Sequence, residues 1–96
     1  MVSLSNILDR REQILQIAAK HGASNVRIFG SVLRGQAGEG SDLDLLVHLG
    51  DDRSLLDHVA LMQELEDLLG CKVDVVEDDA LHRSLRERVL VEAMAL

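Results

Sequence analysis

The chain has 96 residues, enough for one domain, and 47% of them are hydrophobic with one aromatic, Phe29, so a core must be aliphatic and thin. A formal net charge of -7 opposes loose binding to a phosphate backbone, which disfavours a nucleic-acid polymerase and stable DNA binding. The single cysteine, Cys71, excludes an intramolecular disulfide, and no apolar run is long enough for a membrane span or a secretion signal, so a cytoplasmic location is expected.

In chain order, Ser5 can cap a first helix expected over about residues 6 to 21. Its Ile7, Leu8, Ile14, Leu15 and Ala18 share a face, and Gly22 stands where a helix end favours positive φ. Asn25 to Phe29 (NVRIF) reads as a strand that runs into Gly30-Ser31. The next four residues, VLRG, have room for one or two helical turns, and Gly35, Gly38 and Gly40 mark the loop that follows. Asp42 to Leu49 (DLDLLVHL) begins by alternating, with Asp42 and Asp44 on one face and Leu43 and Leu45 on the other, so a strand with an acidic side is expected. Ser54 or Asp52 can cap a helix carrying Leu55, Val59, Met62, Leu65 and Leu69, closed by Gly70.

Cys71 to Val76 (CKVDVV) reads as a third strand, interrupted by one acid, Asp74. A last amphipathic helix is expected from about Asp79 to Ala95, with Leu81, Leu85, Val89 and Met94 on one stripe. Proline is absent and no linker or repeat is visible, so residues 1–96 are expected to form a single α/β (α+β) domain, a small mixed sheet flanked by helices.

The chemistry gathers in Gly30-Ser31-Val32-Leu33-Arg34-Gly35 and Ser41-Asp42-Leu43-Asp44, where ten residues, 32 to 41, separate Ser31 from Asp42. A strand that ends in Gly-Ser and opens a short helix presents backbone N–H groups to an anion, and Gly30 lets phosphate oxygens approach the main chain. Ser31 can add its hydroxyl. Arg34 can either reach a triphosphate or brace the loop. Strand rise sets the Cα atoms of Asp42 and Asp44 roughly 6.5 to 7 Å apart, so their carboxylates can share a cation. Two carboxylates about 5 Å apart would repel by about 3 kcal/mol at an effective dielectric near 20, a cost that divalent metal removes. With Asp74 on a neighbouring strand, the set becomes the oxygen-rich site that hard cations prefer.

These residues resemble the signature of the DNA polymerase β type nucleotidyltransferases: Gly-Ser, a ten-residue spacer, then Asp-X-Asp. Arg34-Gly35 and the apolar strand tail are similar to the minimal nucleotidyltransferases of prokaryotes in particular. The resemblance implies a palm-like fold and transfer of a nucleoside monophosphate by in-line attack on the α-phosphate. It implies two Mg²⁺ ions, with Mn²⁺ as an alternative, held by Asp42, Asp44 and Asp74, and a nucleotide held by Gly30, Ser31, Arg34 and Ser41. ATP is the expected substrate, and Asp74 could help deprotonate the attacking hydroxyl. Some minimal nucleotidyltransferases act as antitoxins beside HEPN-domain RNase toxins, so the resemblance implies AMP transfer to a partner protein of that kind, in a homo- or hetero-oligomer. Neutralisation of the toxin by contact alone, or transfer to a small molecule such as an aminoglycoside, are the alternatives.

Other residues have plainer readings. Ser41 can cap or orient the loop, and Arg27 fits a surface strand position though it could face the site. His21, His48, His58 and His82 lack metal-ligand spacing and read as surface or boundary residues, and Cys71 as a small buried side chain. Val32 departs from relatives that carry a basic residue after Gly-Ser, which either weakens a phosphate contact or packs the short helix.

Overall fold

The computed structural model describes residues 2–36, 38 and 42–96. At its centre lies β2 (Leu43–Leu49), whose Leu43, Leu45, Val47 and Leu49 alternate onto one face and are buried there. β2 pairs antiparallel with β1 (Ala23–Phe29) and parallel with β3 (Val73–Glu77). A two-residue strand, β4 (Met94–Ala95), adds to the far side of β1 and gives a mixed sheet in the order β3-β2-β1-β4.

A parallel pair needs a crossover, and α4 (Leu55–Leu69) supplies it. Of the two caps the sequence offered, Ser54 is the one used: its hydroxyl accepts from the Leu56 N–H at 3.2 Å, while the Asp57 carboxylate accepts from the Ser54 N–H at 3.0 Å. Gly70 ends the helix in the left-handed region at φ 66. Leu61 and Leu65 of α4 join Ile14 and Ala18 of α2 (Arg11–Lys20) in the aliphatic cluster beneath the sheet. No helix among the described residues is long and apolar enough to cross a membrane.

Several expected boundaries shift: β1 begins at Ala23 instead of Asn25, and β2 at Leu43 instead of Asp42. The single first helix is two, α1 (Leu4–Asp9) and α2, and the cap is Ser3 instead of Ser5, its hydroxyl accepting from the Asn6 N–H at 3.2 Å. The break falls at Arg10, within the charged run Asp9-Arg10-Arg11-Glu12, which is exposed throughout and so has no packing to hold one straight axis. β3 starts at Val73, beyond the turn that follows Gly70, and extends to Glu77.

The expected last helix is also divided. A 3-10 turn (Asp78–Ala80) precedes α5 (Arg83–Glu92), which buries none of its residues, and Met94 and Ala95 leave the helix to pair with Ile28 and Arg27. Backbone bonding explains this: the outer edge of β1 offers a row of donors and acceptors, and Leu96 N–H donates to Val26 O at 2.9 Å. Leu96 is itself buried, and its carbonyl accepts from Arg11 Nε at 2.9 Å.

The two faces of the sheet differ. Leu46 is fully buried yet stands outside the main aliphatic cluster, because it lies on the opposite face, between Asp44 and His48 along β2.

Candidate functional site

Strand register decides which acids meet. Asp44 is opposite Phe29 on β1 and opposite Asp74 on β3, and cross-strand partners share a face. Asp44 and Asp74 therefore stand side by side on the face turned away from the aliphatic cluster. Asp42 sits one residue before β2, exposed, and two positions from Asp44. Half-burial pushes the Asp44 carboxyl above its ordinary value of 3.8, and the charges of Asp74 and Asp42 push it further; Arg34 offsets part of this, and Glu92 adds to it.

Gly30 carries the other half of the arrangement. Its φ is 78, and a Cβ there would overlap Asp44 Oδ2 and lie 3.0 Å from Asp44 Cγ. The position needs glycine twice over, for a left-handed backbone and for a carboxylate resting against its Cα. Gly30 opens α3 (Gly30–Leu33), whose N-cap residue, Phe29, makes no side-chain capping bond. Val32 is fully buried in the aliphatic cluster, so the apolar residue after Gly-Ser anchors the turn to the core. Gln36 N–H then donates to Ser31 O at 2.9 Å, folding the chain back over the turn.

Arg34 is braced from two sides. Its Nε donates to Gln36 Oε1 at 3.1 Å and its Nη1 to Glu92 Oε1 at 2.5 Å. Glu92 escaped the sequence reading, since nothing local links the last turn of α5 to a residue 58 positions earlier. Ser41 lies outside the described residues.

A second charged cluster lies on the same face, further along β2. Asp78 is almost wholly buried, with Oδ1 3.1 Å from His48 Nδ1 and Oδ2 accepting from Arg27 Nη2 at 3.4 Å. Arg27 does face the site side of the sheet, but its guanidinium is engaged with Asp78 and, through Nε, with Asn25 O at 2.9 Å. Ligand atoms of His48, Asp78 and Asp79 come within 4.8 Å of one another; among the described residues Asp42, Asp44 and Asp74 are not drawn to that spacing, as expected of three like charges. A cation beside His48 would have to share Asp78 with a guanidinium, so this cluster is a charge network that ties the 3-10 turn to the sheet. Of the other histidines, His58 bonds Glu77 at 2.8 Å and His82 bonds Ser84 at 3.1 Å. Burial, with Glu66 and Asp42 nearby, pushes the half-buried Cys71 thiol up, which keeps it protonated and unreactive.

The His48 contact has a testable sign. The hydrogen bond to Asp78 and the charge of that carboxylate raise the His48 pKa above 6.5. The stabilisation is therefore complete below about 6.5 and fades as pH rises through the folded-state value. Substituting His48→Gln is expected to lower the thermal midpoint more at about pH 5.5 than at about pH 9. Equal losses at both pH values would show that the pair does not depend on charge.

Comparison with known proteins adds a family. Residues 10–96 match the model described as Nucleotidyltransferase domain. The chain is 44% identical over 89 residues to a candidate protein adenylyltransferase, MJ0435, of Methanocaldococcus jannaschii, covering 93% of this chain and 96% of that one. It is 37% identical over 79 residues to protein adenylyltransferase MntA of Thermococcus cleftensis, covering 82% and 80%. A solved structure of a candidate minimal nucleotidyltransferase, 52% identical, matches with a TM-score of 0.90 over 99% of this chain and 97% of that one. A complex of tri-AMPylated Shewanella oneidensis HEPN toxin with its MNT antitoxin matches in fold, with a TM-score of 0.70 at 19% identity, covering 92% and 69%.

Proposed function

Because the chain belongs to the nucleotidyltransferase domain family, we propose that it moves AMP from ATP to a hydroxyl of a partner protein, using a pair of divalent cations held by Asp42, Asp44 and Asp74. The observation that carries this reading is the register pair Asp44 and Asp74, set against a Gly30 that has no room for a side chain. The donor set fits hard cations: register puts Asp44 beside Asp74, Asp42 lies two residues before Asp44, and all three offer carboxylate oxygen. Magnesium is the expected ion, and when bound it neutralises triphosphate charge and stabilises the attacking and leaving oxygens.

The chain's own residues divide the remaining work. Gly30 gives phosphate oxygens access to the backbone, and the Ser31 hydroxyl and Arg34 guanidinium donate to the triphosphate. Asp74 accepts the proton of the attacking hydroxyl, and the new bond forms at the α-phosphorus as the bond to pyrophosphate breaks. Positioning and charge neutralisation supply most of the rate.

The named relatives support a protein acceptor, since both carry protein adenylyltransferase in their names. The complex of tri-AMPylated HEPN toxin with MNT antitoxin supports a HEPN-type toxin as that acceptor, with this chain as its antitoxin. Leu55, Leu56 and Val91 are 74%, 80% and 88% exposed and would suit a protein surface better than water.

Incubation with ATP, Mg²⁺ and a HEPN-type protein encoded beside this chain, followed by intact-mass measurement, is expected to show addition of one or more AMP units. Omitting Mg²⁺, or substituting Asp42→Asn with Asp44→Asn, should abolish the addition. A partner left unmodified by the wild-type protein with each of the common NTPs would defeat the proposal. A folded double variant that still protects cells would point to neutralisation by contact.

A further inference from the structure

The pairing of Arg34 with Glu92 is long-range and depends on β4. Met94 stands opposite Ile28 and Ala95 opposite Arg27. Glu92, the last residue of α5, comes two residues before Met94, and Gly30 comes two residues after Ile28, so the chain leaves this strand pair toward the Gly-Ser turn on one side and toward α5 on the other. Arg34 ends α3, its N–H donating to Gly30 O at 3.1 Å, so the pair stands on the turn whose first residue lies against the Asp44 carboxylate.

Its function is not chiefly stability. The two side chains are 48% and 34% exposed, and an ion pair so open to water contributes little to folding. What it does provide is orientation. A guanidinium is planar and carries five N–H donors in a fixed fork, so contacts through Nε to Gln36 and Nη1 to Glu92 set its plane without exhausting it. A long side chain ordered before its ligand arrives no longer loses that freedom on binding.

We propose that Glu92 is a positioning residue for the nucleotide: by holding Arg34 through Nη1, it presents the rest of the guanidinium to the triphosphate. The assignment rests on the reading of the Gly30 to Arg34 turn as the phosphate cradle. It makes the end of α5 part of the nucleotide site, although α5 carries none of the motif residues.

The test is a titration of wild type, Glu92→Ala, Glu92→Gln, Arg34→Ala and the Glu92→Ala/Arg34→Ala double variant with a fluorescent ATP analogue and Mg²⁺. Thermal melts verify folding, and transfer kinetics are measured on the partner. Glu92→Ala is expected to weaken nucleotide binding by roughly threefold to tenfold, the effect of freeing one rotamer-rich side chain. KM for ATP should rise in step, with kcat within about twofold. Glu92→Gln, which keeps an acceptor oxygen, should lose less and carries the test if the alanine variant does not fold. The double variant should bind no worse than Arg34→Ala alone.

Unchanged binding in Glu92→Ala, additive losses in the double variant, or wild-type binding by Arg34→Ala would each overturn the proposal. Tighter binding in Glu92→Ala would overturn it too, showing that the carboxylate competes with phosphate for the guanidinium. A wild-type protein that binds the analogue but modifies no partner would defeat the protein-acceptor reading and leave the positioning result intact.

Discussion

Replacing Asp44 by Asn is expected to abolish AMP transfer, by at least about a thousandfold, while making the protein more stable. The loss follows because an amide offers neither the charge nor the full oxygen donor set that cations need, and each tenfold in rate corresponds to about 1.4 kcal/mol. The gain follows from linkage. Burial and the neighbouring charges of Asp74 and Asp42 raise the folded-state pKa of Asp44 above 3.8, so holding it ionised costs stability. For a raised carboxyl, the folded state is favoured below the unfolded pKa, and that advantage is lost as pH rises through the folded value. At pH 7 the wild type bears the full cost, and asparagine removes it.

Because Asp44 is only half-buried, solvent screening keeps the gain modest, so the thermal midpoint of the variant should lie slightly above that of the wild type at neutral pH. Thermal melts check this directly. The increment should shrink as pH falls toward 4, and Mg²⁺ should raise the wild-type midpoint without raising that of the variant. Transfer within tenfold of wild type, or a lower midpoint at neutral pH, would count against the role assigned to Asp44.

Gly30→Ala is expected to have the next largest effect. At φ 78 an alanine incurs a backbone cost of about 1 to 2 kcal/mol, and its methyl group would overlap Asp44 Oδ2. Relief of that overlap must move either the turn or the carboxylate, for a total of roughly 2 to 4 kcal/mol. Transfer should fall by about a hundredfold, since a displacement near 1 Å in a reacting constellation is enough for that. Gly35→Ala isolates the backbone contribution: φ is 71 there, but a Cβ would meet nothing within 4 Å. It should lose about 1 to 2 kcal/mol and little else. Adding Asp44→Ala to Gly30→Ala should return part of the stability and none of the activity. If the two glycine variants lose equal stability, the contact with Asp44 is not what constrains position 30.

The features legible in the sequence are those written locally. Ser54, Asp57 and Gly70 mark the ends of α4 through contacts of a few residues, and the chain folds there as they specify. The spacing from Gly30-Ser31 to Asp42 and Asp44 identified the family, and Asp74 could be added because an acid interrupts an apolar strand. The missed elements depend on partners far away in sequence. Met94 and Ala95 form a strand because β1 has an unpaired edge, and helical periodicity in residues 79 to 95 gives no sign of it. Asp78, His48 and Arg27 lie on three separate segments, and their ion-pair network exists only once β2 stands between β1 and β3. Glu92 reaches Arg34 by the same route. Val32 shows the reverse case: of the two readings open to it, a weakened phosphate contact or packing of the short helix, its burial favours packing.

The parallel ladder between β2 and β3 makes the acidic site a matter of parity. Side chains alternate with a period of two, so a slip of one residue in β3 would bring Val73 or Val75 opposite Asp44 and drive Asp74 into the hydrocarbon layer. A residue inserted or deleted within Val73–Glu77 is therefore expected to harm the acidic site more than most substitutions there, since the count along the strand selects the side on which the third carboxylate emerges, whereas the turn at Cys71 and Lys72 can absorb a change in length.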